Sequence, residues 1–175
     1  MSIRNEPRTL TFRTYAYLVG GKMNYVFPQL AGVYAALGPW AEALLRVTVA
    51  LCLMPHGLQN CFGLFPNSGS HVSSARELAG MLEKVGYRPG ALWGPVIIFT
   101  ELVLAPMLAL GLFTRLVSIP VVILLLLSIR EHSKFGWFWA KQGAEYPVIW
   151  SAAAIYFLVN GGGAISLDRL IGWEF

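Results

Sequence analysis

The chain has 175 residues, of which 56% are hydrophobic and only 13% charged, and its formal net charge is +4. Soluble domains carry about twice this share of charged residues, so the composition argues against a soluble domain and favours a multi-pass membrane protein. The lysines and arginines form no run, which argues against nucleic acid as a partner.

Residues 1–38 are predicted to form a basic N-terminal tail followed by an interfacial segment. The tail sets four cations against one acid, which suits the anionic cytoplasmic leaflet: Arg4, Arg8, Arg13 and Lys22 against Glu6. Met23 to Leu37 alternates aromatic and small residues, and Gly38-Pro39 predicts a break after it. Residues 39–170 are assigned to the transmembrane domain and 171–175 to a C-terminal tail.

The first predicted span, Trp40 to Asn60, contains Arg46 and ends near His56. On an ideal helix the two residues are about 15 Å apart, so Arg46 would lie near mid-bilayer if His56 is interfacial. A charge at that depth is costly and usually turned inward, which makes Arg46 a functional candidate. The alternative is that Arg46 only holds the bundle together.

Residues 62–90 are predicted to form a polar loop that contains one short helix. Ser73 and Ser74 with Glu77 resemble a capping box. An apolar stripe at helical spacing follows: Val72, Leu78, Met81, Leu82 and Val85. We expect this helix to lie at the membrane interface.

Three more spans complete the expected fold: Ala91 to Leu112, Arg115 to Arg130, and Tyr146 to about Asn160. The prediction is an all-α membrane protein, a four-transmembrane-helix bundle with an interfacial helix between spans 1 and 2. Both termini would then lie on one side. Lysine and arginine counts do not separate the two sides, but the N-terminal cations flank the first span and favour cytoplasmic termini.

Threading these spans up and down brings polar residues together at two levels. Arg46 and Glu101 are predicted to pair at mid-bundle, with Glu42 as a competing partner of Arg46 at i,i+4 spacing. Ser151 and Tyr156 would complete that network.

The second level lies at the loop-bearing face, where three histidines and two carboxylates are expected: His56, His71, His132, Glu131 and Glu145. Such a cluster could hold a metal or haem, or relay protons at a quinone. No HxxxH or HExxH spacing is present, so haem or metal is less favoured than a pocket for a small redox molecule.

Four stretches together resemble the DoxX/DoxD family of small four-span membrane proteins over about residues 44 to 170. They are Leu45-Arg46 with Pro55-His56-Gly57-Leu58-Gln59-Asn60; Glu101-Leu102 with Leu110-Gly111-Leu112-Phe113-Thr114-Arg115; Gly143-Ala144-Glu145-Tyr146-Pro147; and Gly161-Gly162-Gly163 with Ser166-Leu167-Asp168. Two positions depart from the family pattern: Asn60, where lysine is common, and Ala105-Pro106, where glycines are usual.

The resemblance implies redox work resembling that of thiosulfate:quinone oxidoreductase in the plasma membrane of a bacterium or archaeon. It suggests Arg46, His56 and Glu101 as catalytic positions. The expected ligand-binding positions are Arg115, His132, Glu145, Tyr156 and Asp168. Quinone is the expected cofactor, and membrane lipid and other subunits of a redox complex are the expected partners. The alternative is a non-catalytic subunit that anchors or assembles a larger membrane complex.

Overall fold

The computed structural model describes residues 26–66 and 72–173, and all regular structure within those ranges is helical. The main helices are α1 (Ala31–Phe62), α2 (Ala75–Lys84), α3 (Gly90–Phe99), α4 (Ala105–Leu110), α5 (Thr114–His132), α6 (Glu145–Asn160) and α7 (Leu167–Ile171). A π turn, Thr100–Leu104, joins α3 to α4. Single 3-10 turns occur at Pro28–Leu30, Ser133–Phe135 and Trp139–Lys141.

Three of these helical segments are long and apolar enough to cross a membrane: Pro28–Phe62, Gly90–Leu110 and Thr114–Phe135. Their 35, 21 and 22 residues each reach the bilayer core thickness of about 30 Å at about 1.5 Å per residue. Helix α6 has 16 residues, or about 24 Å. The protein is therefore an all-helical membrane protein with three candidate spans, and a fourth crossing remains an expectation.

The predicted break at Gly38-Pro39 is wrong, because α1 continues through both residues. A proline ends a helix only where the lost N–H bond and the ring clash are not outweighed, and membrane helices tolerate both. Part of the expected interfacial segment, residues 23–25, lies outside the described residues. The assignment of residues 1–38 to a separate region stays a prediction.

The short helix in the polar loop begins as the sequence predicts. Ser74 Oγ accepts a hydrogen bond from the Glu77 N–H at 3.3 Å, and Glu77 Oε2 accepts from the Ser73 N–H at 2.8 Å. This pair is a variant of the capping box, in which Glu77 bonds the N–H of the residue before the N-cap Ser74. Leu78 and Leu82 of α2 are buried with Val72, whereas Met81 and Val85 of the predicted stripe are exposed.

Helices α1 and α3–α4 run antiparallel within the bundle. Gly57 of α1 is in contact with Glu101 and Leu102, and Arg46, eleven residues earlier, is bonded to Ala109. The core consists of small and branched side chains from four helices: Val49, Ala50, Leu53, Ala105, Leu108, Val117, Val121, Val122, Leu125, Ala153, Ala154 and Phe157. Large apolar side chains also cover the outside of the helices, as lipid-facing surfaces require.

The π turn follows from Pro106 at the second position of α4. A proline at this position has no N–H and its ring clashes with the carbonyl four residues earlier, that of Leu102. The chain widens instead, and the Ala105 N–H bonds the carbonyl of Thr100, five residues back. Such π turns are frequent at functional sites. Pro106 thus causes a local widening of the helix that contains Glu101.

Candidate functional site

Arg46 is buried, with 3% of its surface exposed, and binds backbone carbonyls of two other segments. Its Nε donates to the Ala109 carbonyl at 3.3 Å, and its Nη2 donates to the Ile165 carbonyl at 2.6 Å. The third nitrogen, Nη1, donates to the Gly162 carbonyl. The guanidinium therefore connects α1 to the end of α4 and to the loop that follows α6.

The predicted Arg46–Glu101 pair is wrong. The Arg46 guanidinium is occupied by carbonyl groups, and the Glu101 carboxyl group is bonded to Asn60. The acceptors of Arg46 lie where α4 ends and just after α6 ends, so Arg46 is level with the end of the bundle. The prediction placed Arg46 near mid-bilayer only from its distance to His56 along α1. That distance does not give the depth of Arg46, because α1 extends well before this residue.

Asp168 caps the start of α5 from 54 residues further along the chain. Its carboxylate accepts from the N–H groups of Phe113 and Thr114 at 2.6 and 2.8 Å and from the Thr114 hydroxyl at 2.7 Å. Phe113, the residue before α5, has φ +50° and offers no side-chain cap. A carboxylate at a helix N-terminus satisfies free N–H groups and interacts favourably with the helix dipole.

Two glycines make this packing possible. A Cβ at Gly111 would lie 2.5 Å from the Ser166 Cβ and 2.9 Å from the Arg46 Cζ, and Gly111 has φ +68°. A Cβ at Gly162 would lie 2.7 Å from the Thr114 Oγ1. We call Arg46, Gly111, Thr114, Gly162 and Asp168 the arginine cluster. It unites residues from three of the four stretches noted in the sequence.

Two other predicted ligand-binding residues lie at the same end of the bundle. The Tyr156 hydroxyl donates to Glu42 Oε1 at 3.2 Å. Arg115 approaches Gly161, where an added Cβ would lie 3.5 Å from the Arg115 Nε. Ser151 bonds the Pro147 carbonyl of its own helix, so the predicted network of Ser151 and Tyr156 with an Arg46–Glu101 pair is not formed.

Glu101 has different neighbours from those of Arg46. This side chain is 6% exposed, and its Oε2 accepts a hydrogen bond from Asn60 Nδ2 at 3.0 Å. The helices approach closely here, since a Cβ at Gly57 would lie 2.7 Å from the Glu101 Cβ. Among the residues that the structure describes, no lysine or arginine forms an ion pair with Glu101. Its one described hydrogen-bond partner is therefore a neutral amide.

His56 and His132 are close enough to interact electrostatically. His132 Nδ1 lies 2.9 Å from the Ser128 carbonyl, and since a carbonyl only accepts, Nδ1 carries the proton. In the neutral tautomer with the proton on Nδ1, Nε2 is an acceptor. We call His56, Asn60, Glu101 and His132 the glutamate cluster. His71, the third predicted histidine, lies outside the described residues.

Glu145 is held in the loop before α6. Its Oε2 accepts from the Trp139 N–H at 3.1 Å, and the Trp139 and Tyr146 rings stack at 5.8 Å. The structure thus divides the eight predicted site residues. One end of the bundle contains Arg46, Arg115, Tyr156 and Asp168. The glutamate cluster contains His56, Glu101 and His132. Glu145 belongs to neither group, because it is bonded to Trp139 in the loop before α6.

Within residues 26–66 and 72–173 no group of three histidine, cysteine, aspartate or glutamate side chains could hold a metal ion. The carboxyl, amide and imidazole groups of the glutamate cluster are instead suited to hydrogen bonding and proton transfer. Sequence reasoning missed Asn60 as the partner of Glu101. The available signal was its i+4 spacing from His56, which puts both side chains on one face of α1.

A family model for DoxX matches residues 41–140 of the chain. That segment includes Arg46, His56, Asn60, Glu101 and His132. No curated protein and no solved structure gave a match. Because the matched segment is more than half of the chain and the helices are long and apolar, the protein is a multi-pass membrane protein that belongs to the DoxX family.

Proposed function

We propose that this protein is the membrane subunit of a quinone-linked redox system and that the glutamate cluster is its ligand site. One observation carries the proposal: a buried carboxyl group with a neutral amide partner lies within the membrane-spanning part of the chain, packed against Gly57, the residue that follows His56. Membership of the DoxX family supports the redox assignment.

The cost of burying Glu101 supports a functional role. An ionisable side chain inside a membrane bundle is expensive, and where no cation compensates it, a role in ligand or proton handling is the default hypothesis. Arg46 does not need a functional explanation, because its guanidinium donates hydrogen bonds to three backbone carbonyl groups. We therefore assign a role in ligand binding to Glu101 and a structural role to Arg46.

The groups of the glutamate cluster fit a quinone. A bound quinone would supply two carbonyl oxygens that take up protons on reduction, so its site needs hydrogen-bond donors and a route for protons. His56 is exposed, and its ring can donate a hydrogen bond to a carbonyl oxygen. His132 Nε2 can accept a proton from it, and Glu101 can hold or release one.

The proposed topology has four crossings. Helix α6 packs against α5. Gly161, which follows the end of α6, lies beside Arg115, near the start of α5. The 16 residues of α6 span about 24 Å, which a locally thinned bilayer accommodates. In this arrangement α2 lies at the interface, both termini face the cytoplasm, and a partner subunit supplies electrons to the site.

The test uses the full chain purified in mild detergent from its native membrane. Bound quinone is extracted with solvent and measured by mass analysis for the wild type, Glu101→Gln, His56→Ala and Tyr156→Phe. Tyr156→Phe is the matched control, because it removes one hydroxyl at the opposite end of the bundle. We expect the two cluster variants to retain about one tenth of the quinone, the loss for a hydrogen bond of about 1.4 kcal/mol.

Equal quinone content in all four proteins would contradict the proposed site. A wild-type protein that holds only phospholipid but co-purifies with an enzyme containing all its redox centres would contradict quinone binding itself. That result would support the anchoring or assembly subunit instead.

A further inference from the structure

The connection between α5 and α6 carries an unusual concentration of exposed aromatic side chains. We call residues 134–141 the aromatic loop. The exposed fractions of its four aromatic residues are 58% for Phe135, 55% for Trp137, 69% for Phe138 and 58% for Trp139. Large aromatic groups in such numbers are costly to leave in water, so a surface of this kind marks an interaction site.

The aromatic loop is held in one arrangement by its own backbone. The N–H groups of Gly143, Ala144 and Glu145 donate to the carbonyls of Phe138, Gly136 and Trp137 at 3.1, 3.0 and 3.0 Å. A Cβ at Gly143 would lie only 2.5 Å from the Trp137 carbonyl oxygen, so the two sides of the loop are in direct contact. The aromatic side chains are therefore presented outward on a preorganised backbone.

The charges around the aromatic loop leave its outer surface positive. Glu145 accepts the Trp139 N–H, and Glu131 is engaged by the Tyr87 hydroxyl and by Lys134. Both carboxylates are thus occupied. Lys141 is exposed and forms no ion pair with a described residue, and 67% of the Arg130 side chain is exposed.

The position of the aromatic loop in the chain indicates which kind of molecule the loop contacts. The candidate span Thr114–Phe135 ends within it, so the loop begins where a membrane-crossing helix reaches the bilayer surface. Tryptophan and tyrosine concentrate at that level, and adjacent lysine and arginine attract acidic headgroups. We propose that the aromatic loop lies in the headgroup region and binds acidic phospholipid.

Depth is tested by spin labelling of the full chain with Cys52 and Cys61 replaced by serine. A label at position 138 is compared with a label at position 123, because Ile123 is exposed on the middle of α5. The protein is reconstituted in vesicles of phosphatidylcholine with phosphatidylglycerol. We expect the label at 123 to collide mainly with oxygen, and the label at 138 to have a lower ratio of oxygen to nickel-complex collisions that is still higher than that of a free label in water. If the variant at 138 does not fold, a label at position 135 makes the same measurement.

Charge selectivity is tested by counting phosphatidylglycerol retained by the purified chain in native mass spectrometry. Lys141→Gln is expected to retain about fivefold less, in line with the contribution of one cation near an anionic surface. Lys141→Arg keeps the positive charge and serves as the matched control, expected to retain as much lipid as the wild type. A label at 138 with the same collision ratio as a free label in water, or equal lipid retention by the wild type and Lys141→Gln, would overturn the proposal. Either result would indicate that the aromatic loop binds a protein partner instead.

Discussion

Both polar clusters of the bundle contain buried ionisable side chains, yet the clusters differ in how those side chains are satisfied. In the arginine cluster, three carbonyls surround Arg46, and three donors surround Asp168. In the glutamate cluster, one amide contacts Glu101. A charge whose hydrogen-bonding capacity is filled by backbone groups fixes the fold, whereas one with spare capacity can serve a ligand. Burial alone does not distinguish these two uses of a charge.

The strongest test of this comparison is Arg46→Met. Removing the guanidinium leaves three buried carbonyls without donors, so we expect a loss of about 3–5 kcal/mol in stability. Glu101→Gln should cost about 1 kcal/mol, because an amide can still bond Asn60. Thermal unfolding in detergent measures both, and Arg130→Gln, on an exposed side chain, should leave Tm unchanged. A larger loss for Glu101→Gln than for Arg46→Met would reverse the assignment.

The second test is the cap of α5. Asp168→Ala removes the acceptor of two N–H groups and one hydroxyl, and we expect a loss of about 2 kcal/mol. Asp168→Asn keeps one acceptor oxygen and should cost less. Hydrogen exchange at residues 113–117 measures the local effect. Unchanged protection of these amides in Asp168→Ala would show that the arginine cluster does not depend on its carboxylate.

The third test separates stability from the ligand site. Pro106→Ala restores an N–H that can bond the Leu102 carbonyl, and it replaces the least favourable helix residue with the most favourable one. We expect Tm to remain equal or rise, while bound quinone falls because the π turn no longer directs Glu101 towards Asn60. Pro120→Ala, within α5, is the matched proline control and should not change bound quinone. A wild-type quinone content in Pro106→Ala would mean that the turn does not position Glu101.

The smallest expected effect lies outside both clusters, in the capping box of α2. Hydrogen bonds from the backbone N–H and the hydroxyl of Ser73 lower the pKa of Glu77 below its ordinary value of 4.5. The stabilisation is therefore present above the ordinary pKa and disappears as pH falls through the lowered value. Exchange of the Ser73 and Leu78 amides should rise over that acidic range beyond its intrinsic pH dependence. Glu77→Gln should remove this pH dependence, and its persistence in the variant would exclude Glu77 as the cause.

Much of the helical arrangement follows from local sequence. The apolar stretch from Trp40 to Asn60 and the Ser-Ser-x-x-Glu pattern are local signals. They correctly predict the second part of α1 and the start of α2, although α1 begins earlier than expected, at Ala31. The partners of Arg46 could not be predicted in this way. They are carbonyl groups, which every residue possesses, so no side-chain pattern distinguishes Gly162 or Ile165 as acceptors.

The candidate site is also only partly predictable from the sequence. Sequence reasoning places His56 and His132 on one face, and their joint role in a site stays a prediction. Sequence reasoning fails for Glu101 because pairing by charge favours an arginine, while the actual neighbour is the neutral Asn60. The register of two packed helices decides between these partners. That register depends on the extra residue in the π turn and on the contact at Gly57, and the second of these is a tertiary feature.

The cap supplied by Asp168 has a consequence for how the chain matures. The first turn of α5 forms its cap only after 54 further residues have been made, so α5 enters the membrane with its terminal N–H groups still uncapped. The bundle is then locked only once the segment that carries Asp168 has been made and has packed against the start of α5. We therefore expect molecules truncated between Asn160 and Asp168 to insert but to be cleared by membrane proteases.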